Sequence, residues 1–307
     1  MRRMNKPPIR KRRKRFLRAS GTRIRLTDDD VAIMQYVAQY RFLRSTHIAK
    51  LLPHRPFKKL VERIGALYHA GYLDRPKAQL DYFTRAGSAR MVYALGHRAS
   101  DVLPAGDWRY ASSARRPYIE HALLVADVLI AFKMTVSLRS NVEMLDEKAL
   151  VEILAAEGRT TSFSLSVDVK RRGRNHRIPI VPDAVFALRH ASGRTAYFFL
   201  EADCGTMKIN SQDLSQSSLR RKFIGYNVAL KGELHVKRFG FSNARVLTVT
   251  TKPERVAGMI AALNAETAKR PTGRFLFADV KALLQSDPLS MMWRTNDKPT
   301  SLTPTQL

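Results

Sequence analysis

The spacing of apolar residues changes along this chain of 307 residues, and the change limits the folds that it can adopt. Between residues 27 and 71 apolar residues recur every three or four positions, the spacing of short amphipathic helices. From residue 163 onward they often alternate with polar residues, as in half-buried strands. Residues 104–117, rich in Pro, Gly, Ser and Arg, are typical of a linker between these regions. The sequence therefore predicts two domains of a mixed α+β or α/β class.

Composition and missing motifs exclude several protein classes. The single Cys rules out an intramolecular disulfide and a CxxC zinc site. The most apolar stretch, residues 122–132, is interrupted by Asp127 and is far shorter than the ~20 residues of a membrane span. We therefore expect no membrane partner and a cytoplasmic protein, associated with the nucleoid or a plasmid. The chain has no P-loop, His-x-His, GxSxG or HExxH motif, which argues against P-loop ATPases, HUH relaxases and these hydrolase classes.

The excess of positive charge is concentrated near the N-terminus. The net charge is +28, and residues 1–25 contribute twelve Lys and Arg with no acid. These residues lack a periodic apolar pattern, so we expect a disordered basic arm that binds a polyanion by releasing its condensed counterions. A solubility tail and an Arg-rich organelle address are the alternatives, the latter disfavoured because residues 10–15 have no amphipathic face. The arm residues assigned to DNA are Arg12, Arg13, Lys14 and Arg15.

Residues 26–103 are predicted to form a winged helix-turn-helix domain. One helix begins at Thr27, which can cap it; a second begins at Ser45, and a third follows Pro56 and ends at Gly71. A basic hairpin that ends in a strand at residues 91–95 would form the wing. The third helix would enter the major groove, although solvated surface charge is the common alternative. The residues assigned to DNA in this domain are Arg55, Lys58, Lys59, Arg63, Lys77, Arg85 and Arg90.

The second domain is predicted over residues 118–290, followed by a flexible tail, residues 291–307. It begins with an apolar helix over residues 118–136. Strands are predicted over residues 163–169, 178–188, 196–204 and 245–250, and helices over 212–230 and 253–265. The basic turn 170–177 would bind phosphates through Arg171, Arg172 and Arg174.

Three carboxylates are predicted to converge in this domain. Glu201 and Asp203 share a face of one strand, since side chains at i and i+2 point the same way. A hairpin centred on Ser192 would place Asp183 directly opposite Glu201. Such a cluster requires a metal ion or Lys and Arg partners, and a purely structural patch paired with Arg is as compatible with the pattern as a metal site.

Pro182-Asp183 on one strand and Glu201 on the next resemble the core of PD-(D/E)XK nucleases. The resemblance implies that Asp183 and Glu201 would hold Mg²⁺ or Mn²⁺, with Glu120 as the acid on the preceding helix, or less favourably Asp127.

This chain departs from the nuclease pattern at one position, where Asp203 replaces the Lys that orients or activates water. The departure puts cleavage in question, and Lys208 or Lys222 would have to supply the amine. A surface or phosphate-binding role is the alternative for Lys222 and is slightly favoured.

The arrangement as a whole resembles the replication-relaxation protein family. The resemblance extends from about Thr27 to Ala265, and Asp203 is typical of the family. It implies a DNA-binding protein of plasmids, integrative elements or phages that acts in replication or mobilisation. It is carried by Leu26-Thr-Asp-Asp-Asp30, Glu120-His121-Ala-Leu, Pro182-Asp183-Ala-Val, Phe199-Leu-Glu201-Ala-Asp203-Cys-Gly-Thr206 and the pair Lys222 and Tyr226.

Three functions compete at this point. The favoured one is a homodimeric protein that binds duplex DNA, contacts replication or mobilisation proteins and carries an inactive or repurposed nuclease core. The alternative is a metal-dependent endonuclease or nickase. An RNA-binding protein is the weakest of the three, because no aromatic-rich RNP-like strand is present.

Overall fold

A computed structural model of the chain describes residues 16–79, 90–104, 114–171 and 173–303. The chain divides into two compact units, residues 1–116 and 117–307. Among the helices within the described ranges, none is both long and apolar enough to cross a lipid bilayer. The predicted DNA-binding residues Arg12, Arg13, Lys14, Arg15, Arg85 and Arg172 lie outside the described residues.

The described residues of the first unit form three α-helices, and local capping explains where they begin. The backbone N–H of Thr27 donates to the Asp30 carboxylate at 2.8 Å, which closes the first turn of the first helix. Pro53 and Pro56 separate the second helix from the third, since Pro is excluded from helix interiors but fits at a helix start. The helices predicted at the three positions are confirmed. Their bounds are α1 (Asp28–Tyr40), α2 (Ser45–Leu51) and α3 (Phe57–His69).

A small antiparallel sheet completes the first unit. Its order is β1 (Leu43–Arg44), β3 (Val92–Leu95), β2 (Leu73–Asp74). Residues 16–25 form no helix or strand, but Arg18 contacts α3 and β2: its guanidinium lies over the Tyr68 ring and 2.8 Å from Asp74. The described part of the predicted arm is therefore attached to the domain, a contact that sequence periodicity does not predict.

The second unit is built on a five-stranded mixed sheet, with helices on both of its faces. The strand order is β10-β9-β8-β7-β4, with β8 parallel to β9 and antiparallel to β7. The strands are β4 (Val142–Leu145), β7 (Ala184–His190), β8 (Thr195–Asp203), β9 (Ala244–Thr250) and β10 (Phe275–Asp279). The helices are α4 (Arg116–Ser137), α5 (Glu147–Ala156), α6 (Leu219–Lys231), α7 (Leu234–Phe239), α8 (Arg255–Thr267) and α9 (Val280–Gln285).

Alternate residues of the central strand β8 enter two separate cores. Phe198 and Leu200 face α4, where they pack with Phe132. Phe199 faces the opposite side and packs against Tyr226 of α6. Because both faces are covered, polar side chains on β8 are buried and need partners inside the domain.

The strand predicted over residues 178–188 is wrong as a single element. It is divided between β6 (Arg174–Ile180) and β7, with a break at residues 181–183. Pro182 lacks an N–H for ladder pairing, and β6 pairs with β5 (Leu165–Arg171) in a separate two-stranded sheet. This hairpin packs closely on α6 at Gly225, where an added Cβ would lie 3.0 Å from Ile178 and Ile180.

The predicted flexible tail, residues 291–307, is also corrected over its described part. Trp293 is fully buried and stacks on Phe132, and its indole N–H donates to the Pro288 carbonyl at 2.9 Å. Backbone bridges join Phe277 to Arg294 and Trp293 to Thr300. The Pro, Thr and Ser content of the tail does not predict this attachment, because the attachment depends on one large aromatic residue, Trp293.

Two further corrections concern helices. The helix predicted over residues 212–230 begins at Leu219, because Ser218 caps it by accepting from the Arg221 N–H at 3.1 Å. The strand β4 and the helix α5, which Asp146 caps, were not predicted from the sequence. The mixed α and β class is confirmed by the two units together.

Candidate functional site

The predicted carboxylates meet at the C-terminal end of β8. Ala184 of β7 pairs with Leu200, and the Asp183 N–H donates to the Leu200 carbonyl at 2.9 Å. The register predicted from a hairpin centred on Ser192 is therefore confirmed from Ala184 to Arg189, and Asp183 lies just beyond the last pair of this ladder.

Glu201 is almost fully buried, at 2% exposure, and both of its oxygens accept hydrogen bonds from α6. The Tyr226 hydroxyl donates to Oε1 at 2.6 Å, and the Lys222 ammonium donates to Oε2. Lys222 and Tyr226 are four residues apart on α6 and so lie on one face of the helix. Lys222 therefore reaches inward to Glu201, while 31% of its side chain stays exposed.

Asp203 is held by a different set of partners. Arg255, in the first turn of α8, donates from Nε at 2.7 Å and from Nη2 at 3.1 Å to the two oxygens of Asp203. The Thr250 hydroxyl at the end of β9 donates at 2.7 Å. Arg255 also donates to the Met207 carbonyl at 2.6 Å, which fixes the loop after β8. The bidentate pair makes Asp203 a structural anchor between β8 and α8.

Asp183 has a third environment. The Ala202 N–H donates to its Oδ2 at 2.7 Å, and Nε2 of His121 in α4 lies 3.1 Å from the same oxygen. His121 is about one third exposed, so this pair faces an opening rather than the core. A cavity of about 200 Å³ lies here, lined by Glu120, His121, Asp183, Glu201, Asp203, Cys204 and Lys222 among others.

The surroundings of Glu201, Asp183 and His121 do not all move the pKa in the same direction. Burial raises the pKa of Glu201 to about 7, although Lys222 partly offsets this. Burial also acts to raise the pKa of Asp183, but the His121 hydrogen bond and the charge of Lys222 outweigh it, so that pKa is lowered. The hydrogen bond to Asp183 raises the pKa of His121 in turn. Asp183 and His121 thus favour the charged forms, while Glu201 readily accepts a proton near neutral pH.

The cavity also contains Cys204, which is disfavoured as a nucleophile. Burial raises the pKa of Cys204 to about 11, and the nearby carboxylates Glu120 and Asp203 contribute. Since the thiolate is the reactive form, Cys204 is a poor nucleophile at neutral pH.

The carboxylates do not fit a divalent cation as they are arranged. Both oxygens of Glu201 and both oxygens of Asp203 accept from protein donors, and Asp183 Oδ2 is shared by two donors. Within the described ranges, no group of three or more His, Cys, Asp or Glu side chains is placed to hold a metal ion. Lys222, Arg255 and His121 supply the positive charge beside these carboxylates.

The basic residues predicted to contact DNA fall into two groups in the first unit. Lys58 and Lys59 are exposed in the first turn of α3, and Lys77 is exposed in the 3-10 helix Lys77–Gln79. In contrast, Arg63 pairs with the fully buried Asp30 and donates to the Arg25 carbonyl at 2.6 Å. Arg55, about half exposed, pairs with Asp29.

The second unit shows a similar division at its basic hairpin. Arg174 is exposed in β6. Arg171 is bound to Glu266 of α8, with a distance of 2.9 Å, and Glu266 also accepts from Arg220 at 2.7 Å. Arg171 therefore attaches the hairpin to the domain.

Three partners in the carboxylate cluster were not assigned a role from the sequence. His121 follows the predicted Glu120 directly, and Thr250 and Arg255 lie at the end of β9 and the start of α8. The i, i+4 spacing of Lys222 and Tyr226 was the available indication for α6. No local pattern indicates Arg255, because its pairing with Asp203 spans 52 residues.

The comparison with protein families supplies the remaining observation. The replication-relaxation family model matches residues 34–243, which span both units. The chain belongs to the replication-relaxation family. Membership suggests a role in plasmid replication or relaxation. No curated protein and no solved structure matches the chain.

Proposed function

We propose that this replication-relaxation protein binds duplex DNA through its first unit and acts in the replication or mobilisation of a plasmid, integrative element or phage, or in its regulation. The observation that carries the proposal is the surface of α3. Leu60, Ile64 and Leu67 are buried on one side of this helix, while Lys58 and Lys59 are exposed in its first turn. N-terminal residues of a recognition helix are the ones that contact base edges in the major groove.

The arrangement around α3 supports the proposal. The order α1, β1, α2, α3, β2, β3 with an antiparallel three-stranded sheet is typical of a winged helix-turn-helix domain. Arg90, immediately before β3, lies over the ring of Phe57 at the start of α3. Lys58, Lys59 and Arg90 are exposed, and we expect this positively charged surface to attract phosphates.

The second unit would then contribute phosphate contacts and a scaffold. Arg174 is exposed on the hairpin of β5 and β6, which Glu266 and Gly225 hold against α6 and α8. A rigid basic hairpin contacts backbone phosphates at a smaller entropic cost than a mobile one. We propose duplex DNA, a second copy of the chain, and replication or mobilisation proteins as partners.

The proposal is tested by the affinity of the full chain for a duplex selected from a randomised pool, measured by fluorescence anisotropy. Lys58→Ala with Lys59→Ala should weaken binding by ~1–3 kcal/mol if either residue makes a good base contact. The matched control is Lys148→Ala with Lys237→Ala, which removes two exposed lysines from α5 and α7 and should change the affinity little.

Two outcomes would contradict the proposal. Equal affinity of the α3 variant and the wild type would remove α3 as the contact surface. A duplex affinity that does not fall as salt rises would argue against phosphate binding altogether, since counterion release makes such binding salt-dependent.

A second candidate function is metal-dependent nicking, because the Lys222 amine reaches Glu201 beside Asp183, the residue types of a nuclease core. The occupied carboxylate oxygens weigh against it. The test is relaxation of supercoiled plasmid by the wild type with Mg²⁺ or Mn²⁺. Nicking that disappears with Asp183→Ala would support the candidate, whereas absent nicking, or nicking that persists in the variant, would reject it.

A further inference from the structure

Phe57 occupies an unusual place for an aromatic residue. It is the first residue of α3 and is 40% exposed, whereas Leu60, one turn later, is almost fully buried. Single exposed apolar residues are common on protein surfaces, so exposure alone has no functional meaning. The position of Phe57 does indicate a function, because Phe57 precedes Lys58 and Lys59 at the end of α3 that we assign to the major groove.

The ring of Phe57 also has a cationic neighbour. The guanidinium of Arg90 lies 5.3 Å from the ring centroid, within the distance of a cation–π contact. Arg90 flanks one side of the ring, and the exposed part of the ring remains open to a ligand. The residues around Phe57 are positively charged and therefore attract a polyanion. The Phe57 ring itself cannot bind phosphate and offers an apolar surface.

The major groove presents one apolar group to such a surface. This is the 5-methyl group of thymine, which other proteins recognise through apolar side chains that include Phe. We propose that Phe57 is a specificity-determining residue that contacts a thymine methyl group in the recognised duplex, with Arg90 holding the ring. This inference rests on the proposed function of α3 and adds the base that it selects.

The test uses thymine-to-deoxyuridine replacement, which removes only the methyl group. A preferred duplex is first selected by the full-length wild type from a randomised pool, and each of its thymines is then replaced singly by deoxyuridine. We expect one replacement to weaken wild-type binding about fourfold, the change in affinity that corresponds to one buried methyl-sized group.

Phe57→Ala completes a double-mutant cycle. The variant should bind the thymine duplex more weakly than the wild type does and should no longer distinguish thymine from deoxyuridine at that position. Phe57→Leu keeps an apolar contact and should retain part of the difference. The matched control is Leu138→Ala, which removes an exposed apolar side chain in the second unit and should retain the full fourfold difference.

The inference is overturned if the pool yields no preferred sequence, if every thymine tolerates deoxyuridine, or if Phe57→Ala keeps the wild-type difference. None of these results by itself removes the proposed function. That function fails separately, when Lys58→Ala with Lys59→Ala leaves affinity unchanged or when binding does not depend on salt. Cooperative thermal unfolding of each variant verifies that the fold is intact.

Discussion

Glu201 is the residue in which burial and charge compete most strongly. It lies in the central strand of the sheet and accepts from Lys222 and Tyr226. Desolvation disfavours its charged form, while the ammonium of Lys222 favours it. An acid–amine pair of this kind costs desolvation energy that its mutual attraction only partly returns. The pair therefore positions α6 against β8 without contributing much net stability.

The raised pKa of Glu201 predicts how stability depends on pH. Between the ordinary value of 4.5 and about 7, the folded state binds more protons at this site than the unfolded state does. The free energy of unfolding should therefore fall as the pH rises through this window, by at most about 3 kcal/mol. The measurement is urea unfolding of the wild type and Glu201→Gln at several pH values. The wild type should lose stability relative to the variant as pH rises, and a flat or rising difference would contradict the assignment.

The arginines of the first unit show how similar residues differ in role. Arg63 neutralises Asp30, which is fully buried and also accepts from the Thr27 backbone. Arg55 neutralises Asp29 at an exposed position, where an ion pair contributes little to stability. Arg63 is therefore part of the connection between α1 and α3, and Arg55 is the better placed of the two to exchange its partner for a phosphate.

Among the elements, the C-terminal segment depends most on a single side chain. Residues 291–303 contain no long helix or strand. Trp293 nevertheless packs in the core that includes residues of α4, and backbone bridges join the segment to β10 at the edge of the sheet. Leu302, also fully buried, fixes the far end of the segment.

Replacement of Trp293 should consequently be severe. Trp293→Ala removes a buried ring that stacks on Phe132 and should cost about 3–5 kcal/mol of unfolding free energy. The control is the adjacent Met292→Ala, which removes a side chain that is 59% exposed and should change stability by less than about 0.5 kcal/mol. Denaturant unfolding of both variants compares them directly, and similar losses would show that the segment does not depend on Trp293.

At the scale of the whole molecule, much of the excess positive charge lies away from the carboxylate cluster. Residues 1–25 carry twelve Lys and Arg with no acid, while the second unit gathers Asp183, Glu201 and Asp203 near one cavity. Each of these three acids contacts a basic side chain: His121, Lys222 or Arg255. The cluster is thereby compensated internally by these three side chains.

Removal of residues 1–15 tests the contribution of the basic arm. This deletion removes nine Lys and Arg but keeps Arg18, which contacts Tyr68 and Asp74. The slope of log affinity against log salt for duplex DNA should become shallower, by up to about eight if every removed cation contacts a phosphate. An unchanged slope in salt titrations of the shortened and full chains would show that the arm binds no phosphate.

Much of the fold followed from local sequence. The cap at Thr27, the prolines on either side of residues 54–55 and the apolar periodicity of α1 to α4 act over a few residues, so they predict those helices directly. The boundary between β6 and β7 did not follow, because it depends on which of two sheets each segment joins. The prediction of a flexible tail was wrong because Trp293 attaches this segment by packing against residues far away in the chain.

The sequence by itself determined where the charge lies, where the first four helices begin, and the register of β7 against β8, since hairpin register follows from the position of the turn. Only the tertiary structure decided that Lys222 binds Glu201 and that Arg255 binds Asp203. It also decided that Arg63 and Arg171 are each paired with an acid of their own unit. These pairs join residues 21 to 95 positions apart. Such contacts depend on how helices pack on the sheet, and local spacing carries no information about that packing.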